Sequence, residues 1–96
     1  MIVCIDCGHG LPTKGKQCLD GTKEWVLNSR IGDCVEIALR ENGITVVRSD
    51  DRTGKKDIPL STRVKKANEV SDYFISIHQN TRIPRFPHRD RLLFLH

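Results

Sequence analysis

Three short β-branched runs, separated by two stretches of helical periodicity, constrain this chain more than any other feature. Residues 2–6 (Ile-Val-Cys-Ile-Asp) read as a buried strand, a brief apolar run closed by glycine-rich sequence. A loop over residues 8–23, with glycines at 8, 10, 15 and 21, leads into a helix from about Thr22. Leu27, Ile31, Cys34, Val35 and Ala38 recur there at spacings of three and four, so they are expected to share its buried face. Asn42-Gly43 stops the helix, because glycine accepts the left-handed conformation that many helix ends need. Residues 44–47 form a second strand and residues 49–58 a charged loop. A second helix is expected to begin near Ser61, a plausible cap after Pro59, with Leu60, Val64 and Ala67 facing inward. Residues 73–77 (Tyr-Phe-Ile-Ser-Ile) complete the pattern as a third strand. Regular alternation of strand and helix predicts an α/β fold: a parallel sheet with right-handed crossovers and helices on both faces.

Charge narrows the choice of partner. The net charge is +4, yet residues 1–80 carry twelve basic and eleven acidic side chains. The excess lies in residues 81–96, where Arg82, Arg85, Arg89 and Arg91 stand against Asp90 alone. A nucleic-acid surface needs a basic stripe on a folded face, so nucleic acid is not an expected partner. No apolar stretch approaches the roughly 20 residues of a membrane span. The opening MIVCIDCGHG lacks the basic segment of a secretory signal peptide, so no signal peptide is expected and localisation is left open, as is oligomeric state.

The four cysteines bear on metal and redox chemistry. Cys4 and Cys7 have the spacing of half a zinc ribbon or of a redox pair, but no second such pair follows. A redox pair belongs at a helix N-terminus, whose dipole lowers the thiol pKa, whereas this one straddles a strand end. The preferred reading places Cys4 and Cys34 in the core and leaves Cys7 and Cys18 as reduced loop residues.

A different set of side chains carries chemistry. In a parallel α/β sheet, sites form beyond the carboxyl ends of the strands. His9 follows the first strand, His78 follows the third directly, and Glu24 lies in the first turn of the first helix. Two imidazoles and one carboxylate make a suitable shell for a catalytic zinc, which takes three protein ligands and leaves a position for water. Such a centre suits amide or ester hydrolysis. Each residue alone has a plainer reading, as a loop histidine or as a carboxylate complementing the helix dipole. Their convergence at one sheet edge favours the metal.

CIDCGHG, Glu24 within GTKEW, and LSTRVKKANEVSDYFISIHQN together resemble the zinc-dependent N-acetylmuramoyl-L-alanine amidases, the catalytic domain of bacterial autolysins, sporulation amidases and phage endolysins. The resemblance covers residues 2–80. It implies the N-terminal part of a three-layer α/β/α domain, with zinc on His9, Glu24 and His78. It also implies a peptidoglycan substrate in the cell wall, cut between muramic acid and L-alanine.

Three departures accompany it. Cys7 stands where the family commonly has proline, and Leu11-Pro12-Thr13-Lys14 replaces an acidic, glycine-rich stretch. The family domain also carries a late glutamate as general acid/base, whereas no glutamate follows Glu69 here. No catalytic residue is therefore assigned, and the chain is expected to be C-terminally incomplete, with the consequence that a zinc site without a positioned base loses about 10²–10⁴ in rate. A zinc- or wall-binding remnant is the alternative. Residues 1–80 form the amidase part; residues 81–96 are an anomalous basic tail, for which a frameshift and a genuine divergent end both stay open. Around the ligands, Asp6 reads as a partner for a ligating histidine or as a strand-end polar group. Arg63 either orients substrate and ligands or bridges to the sheet, and Asn80 either caps its loop or touches substrate.

Overall fold

In the computed structural model, residues 1–79 are described, so Asn80 and the tail 81–96 lie outside the described residues. The elements run β1 (Ile2–Cys7), α1 (Glu24–Glu41), β2 (Thr45–Arg48), α2 (Leu60–Val70) and β3 (Tyr73–Ile77). All three strands are parallel, with β1 between β2 and β3. Val3 pairs with Val46 and Tyr73, and Asp6 pairs with Ser76.

The two helices cover opposite faces. A Cβ on Gly32 of α1 would meet the Cys7 sulfur and the Ile5 side chain. Arg63 of α2 instead reaches Asp6 from the other side of β1, since successive side chains along a strand point to opposite faces. The crossover β1–α1–β2 runs one way across the sheet and β2–α2–β3 runs back past β1, and right-handed connections in opposite directions put their helices on opposite faces. The α/β expectation is met. Among the described residues, no helix is long and apolar enough to cross a membrane.

The core lies on the α1 face, where Val3, Ile5, Cys7, Trp25, Val46 and Ile77 are buried together and Val26, Val35, Leu39, Ile44 and Ile75 pack against them. Which helical residues face it differs from the expectation. Helix α1 begins at Glu24 rather than Thr22. It buries Glu24, Trp25, Asn28, Gly32 and Glu36, while Ile31, Cys34 and Ala38 are exposed and Leu27 and Val35 are half-buried. Polar groups occupy the inner stripe because each finds a partner in another element. Asn28 Nδ2 donates to the Gly8 carbonyl at 3.1 Å, and Glu36 accepts from Arg40, Arg48 and Arg52. Gly32 allows the backbone close to Cys7, which no apolar side chain at that position would.

Helix α2 departs in the same way. Leu60 is 71% exposed and Val64 39%, whereas Arg63 and Ala67 are buried. The guanidinium takes the sheet-facing position because buried acceptors await it. Pro59, not Ser61, occupies the N-cap, with no side-chain cap. All four thiols are free, with Cys4 and Cys7 buried and Cys34 exposed. Cys34 is therefore not a core residue, and Cys7 is the last residue of β1 rather than part of a loop.

Candidate metal centre

The carboxyl ends of β1 and β3 lie side by side, and the N-terminus of α1 meets them there. Gly8 continues the ladder by donating its N–H to the Ile77 carbonyl at 2.9 Å. Residue 8 has to be glycine, because a Cβ there would overlap the His78 ring. His9 turns away from the strand with φ at 65°, a left-handed conformation unusual for a side-chain-bearing residue. His78 leaves the end of β3, and Glu24 opens α1.

These three side chains meet. His9 Nε2 lies 3.7 Å and His78 Nδ1 3.6 Å from the same Glu24 oxygen, Oε1. The two imidazoles stand edge to face, with centroids 5.3 Å apart. One donor atom from each residue falls within 4.8 Å of the other two. Contacts of 3.6–3.7 Å are too long for hydrogen bonds. They are close to the separation of about 3.3–3.5 Å between two tetrahedral ligands of one zinc at 2.0–2.2 Å. Two neutral-type nitrogens and a carboxylate oxygen are also a donor set that zinc accepts. The residues present fit a divalent cation.

Electrostatics bears on the His9 nitrogen. Burial pushes the His9 imidazole below its ordinary value of 6.5, His78 acts in the same direction, and Glu24 opposes them. A neutral ring has a lone pair to offer. Glu24 is 3% exposed, and its Oε1 accepts the backbone N–H of Gln79 at 2.9 Å, which holds the carboxylate against the end of β3.

Asp6 and Arg63 stand behind the cluster. Asp6 touches neither imidazole; it reaches His78 through Ser76, whose Oγ donates to Asp6 Oδ2 at 3.1 Å and lies 3.1 Å from His78 Nε2. Ser49 and Arg63 donate to the other Asp6 oxygen at 2.6 and 3.0 Å. Arg63, 3% exposed, also donates to the carbonyls of Cys7 (2.6 Å), Ile58 (2.6 Å) and His9 (3.0 Å) and to Asp57 (3.1 Å). It is a bridge from α2 to the sheet edge. Sequence reasoning missed Ser76, Asn28 and Gly8. The signals were present: Ser76 shares a face and a register with Asp6, and Gly8 sits directly before a candidate ligand.

Comparison with known proteins gives the chain a family. A family profile described as N-acetylmuramoyl-L-alanine amidase matches residues 3–85. Among solved structures, the chain is similar to the N-acetylmuramoyl-L-alanine amidase AmiC2 of Nostoc punctiforme. Identity is 33% and the TM-score 0.73, covering 83% of this chain and 44% of that one. It is similar also to the catalytic domain of CwlV, an N-acetylmuramoyl-L-alanine amidase from Bacillus (Paenibacillus) polymyxa var. colistinus. That match has 30% identity and a TM-score of 0.72 over 82% of this chain and 45% of the other. The N-acetylmuramyl-L-alanine amidase Ami1 from Mycobacterium smegmatis, 20% identical, is alike in fold, with a TM-score of 0.78 over 88% and 49% of the two chains. The chain thus spans less than half the length of each structure. No curated protein matches it.

Proposed function

The chain belongs to the N-acetylmuramoyl-L-alanine amidase family, and on that premise we propose that His9, Glu24 and His78 hold a zinc ion. The reaction served is hydrolysis of the amide joining N-acetylmuramic acid to L-alanine in peptidoglycan. The observation that carries this reading is the convergence of three donor atoms within 4.8 Å at the sheet edge where α/β sites form.

Held by His9, Glu24 and His78, a zinc ion would supply Lewis acidity for the scissile carbonyl and for a water near neutral pH. The chain's own residues supply the setting. Burial favours the neutral form of the His9 imidazole, against the pull of Glu24. The Gln79 N–H orients Glu24, and Gly8 leaves room for the His78 ring. Residues 1–79 are assigned no general base, because Glu24, the carboxylate of the cluster, serves as a ligand.

The use of Glu24 as a ligand rather than as a base favours a second reading: a zinc- or wall-binding unit without turnover. Metal content and hydrolysis of purified peptidoglycan test both. About one zinc per chain, lost on His9→Ala or His78→Ala, is expected. Release of new amino termini from the wall identifies an enzyme; stoichiometric zinc without release identifies the binding unit. A folded chain that takes up no zinc overturns the first reading, and one that also fails to bind purified peptidoglycan overturns both.

A further inference from the structure

Behind the three converging side chains runs a line of buried polar groups whose hydrogen-bond directions can be assigned. Asp6 is 1% exposed and Ser76 7%. Both occupy the α2 face of the sheet as registered partners on β1 and β3. A carboxylate carries only acceptors, and a serine hydroxyl has a single proton. The 3.1 Å contact with Asp6 Oδ2 therefore uses that proton, and Ser76 Oγ can only accept from its other neighbour. That neighbour is His78 Nε2, also at 3.1 Å, so the ring proton must sit on Nε2. The remaining nitrogen, Nδ1, is left with its lone pair, and it lies 3.6 Å from Glu24 Oε1.

We infer that Ser76 is a positioning residue that donates its hydroxyl hydrogen bond to Asp6, holds His78 in the Nε2–H tautomer, and so aims the Nδ1 lone pair at the point shared with His9 and Glu24. The hydrogen bond made by one ring nitrogen decides which one is free to bind metal. Arg63 and Ser49 fix Asp6 from its other oxygen, so the line is pinned at its far end. Arg63 also grips the His9 carbonyl, which ties both imidazoles to one ionic centre. The inference rests on the zinc reading for its consequence, though not for its geometry.

Long-range proton–nitrogen correlation spectra of the ¹⁵N-labelled chain, in mildly alkaline solution without metal, read the His78 tautomer directly. Zinc affinity is measured alongside by competition with a chromophoric chelator. The expected result is an Nε2–H tautomer in the native chain. Ser76→Ala is expected to mix the tautomers and to weaken zinc binding by about 10–100-fold. Ser76→Thr keeps the hydroxyl and is expected to restore both. An Nδ1–H tautomer in the native chain overturns the inference without recourse to any variant. So does a Ser76→Ala chain with native tautomer and affinity. A native chain that shows the Nε2–H tautomer but binds no zinc supports the relay and removes the metal reading.

Discussion

Arg63 donates from Nη2 to the backbone carbonyl of His9 at 3.0 Å, across fifty-four positions of sequence. The peptide it holds is unusual: His9 has a φ of 65°, a conformation that costs a side-chain-bearing residue roughly 1–2 kcal/mol. The same guanidinium neutralises Asp6. One α2 side chain thus stabilises a strained turn and a buried charge.

Arg63→Ala leaves Asp6 buried without its ion-pair partner, and the expected loss of stability is about 3–5 kcal/mol. Arg63→Lys keeps the charge but cannot reproduce a fork of donors to Asp6, Cys7, His9 and Ile58. Urea denaturation is expected to rank the lysine variant between native and alanine. Chelator competition is expected to show weakened zinc binding in the lysine variant although it remains folded. Native affinity in that variant would show that the grip on His9 does not matter to the site.

Gly8→Ala places a methyl group where the His78 ring lies. The ring must swing away from Glu24, so zinc affinity is expected to fall by about tenfold or more. The thermal midpoint is expected to move less than in Arg63→Ala, since Gly8 adds nothing to the core. Calorimetry and metal titration on one preparation check both halves.

Glu36 makes stability acid-sensitive. Arg52 donates to both its oxygens at 2.8 Å. Burial opposes the charge, but Arg40 and Arg48 add further bonds, and the carboxyl is pushed down to about 2 from 4.5. A carboxyl lowered in the folded state contributes fully above its ordinary value, and the contribution drains away as pH falls from about 4.5 towards about 2. With Arg40 and Arg52 half exposed, solvent screening leaves about 1–2 kcal/mol. Urea midpoints across that range should decline more steeply in the native chain than in Glu36→Gln.

Thiol reactivity should divide the cysteines. Burial pushes the Cys7 thiol up to about 12 and also raises Cys4. Cys34 is exposed and Cys18 partly so. A disulfide reagent applied to the folded chain is expected to label Cys18 and Cys34 promptly, and Cys4 and Cys7 only after denaturant is added. Rapid labelling of Cys7 would contradict its contacts with Asn28 and Arg48.

The strands and the carboxyl-edge placement of His9, Glu24 and His78 were legible because both depend on local pattern and on element order. Helix orientation was not. Ile31, Cys34 and Ala38 satisfy the apolar period of α1, yet Asn28, Gly32 and Glu36 face the sheet. Their partners, Gly8, Cys7 and Arg48, lie in other elements, so no helical window reveals them. Arg63 illustrates the same limit. Its place on α2 left a bridge to the sheet and a role toward substrate both open until Asp6 and the carbonyls of Cys7 and His9 are brought beneath it.

The central place of β1 sets an order of events. The earliest-synthesised strand is flanked on one side by β2 and on the other by β3, so its second neighbour arrives only after some seventy further residues have been made. Closing so wide a loop is entropically slow. His9 therefore acquires its companion imidazole only when β3 docks, and an ion clasped between the two would act as a latch on the three-stranded sheet rather than as a seed for it.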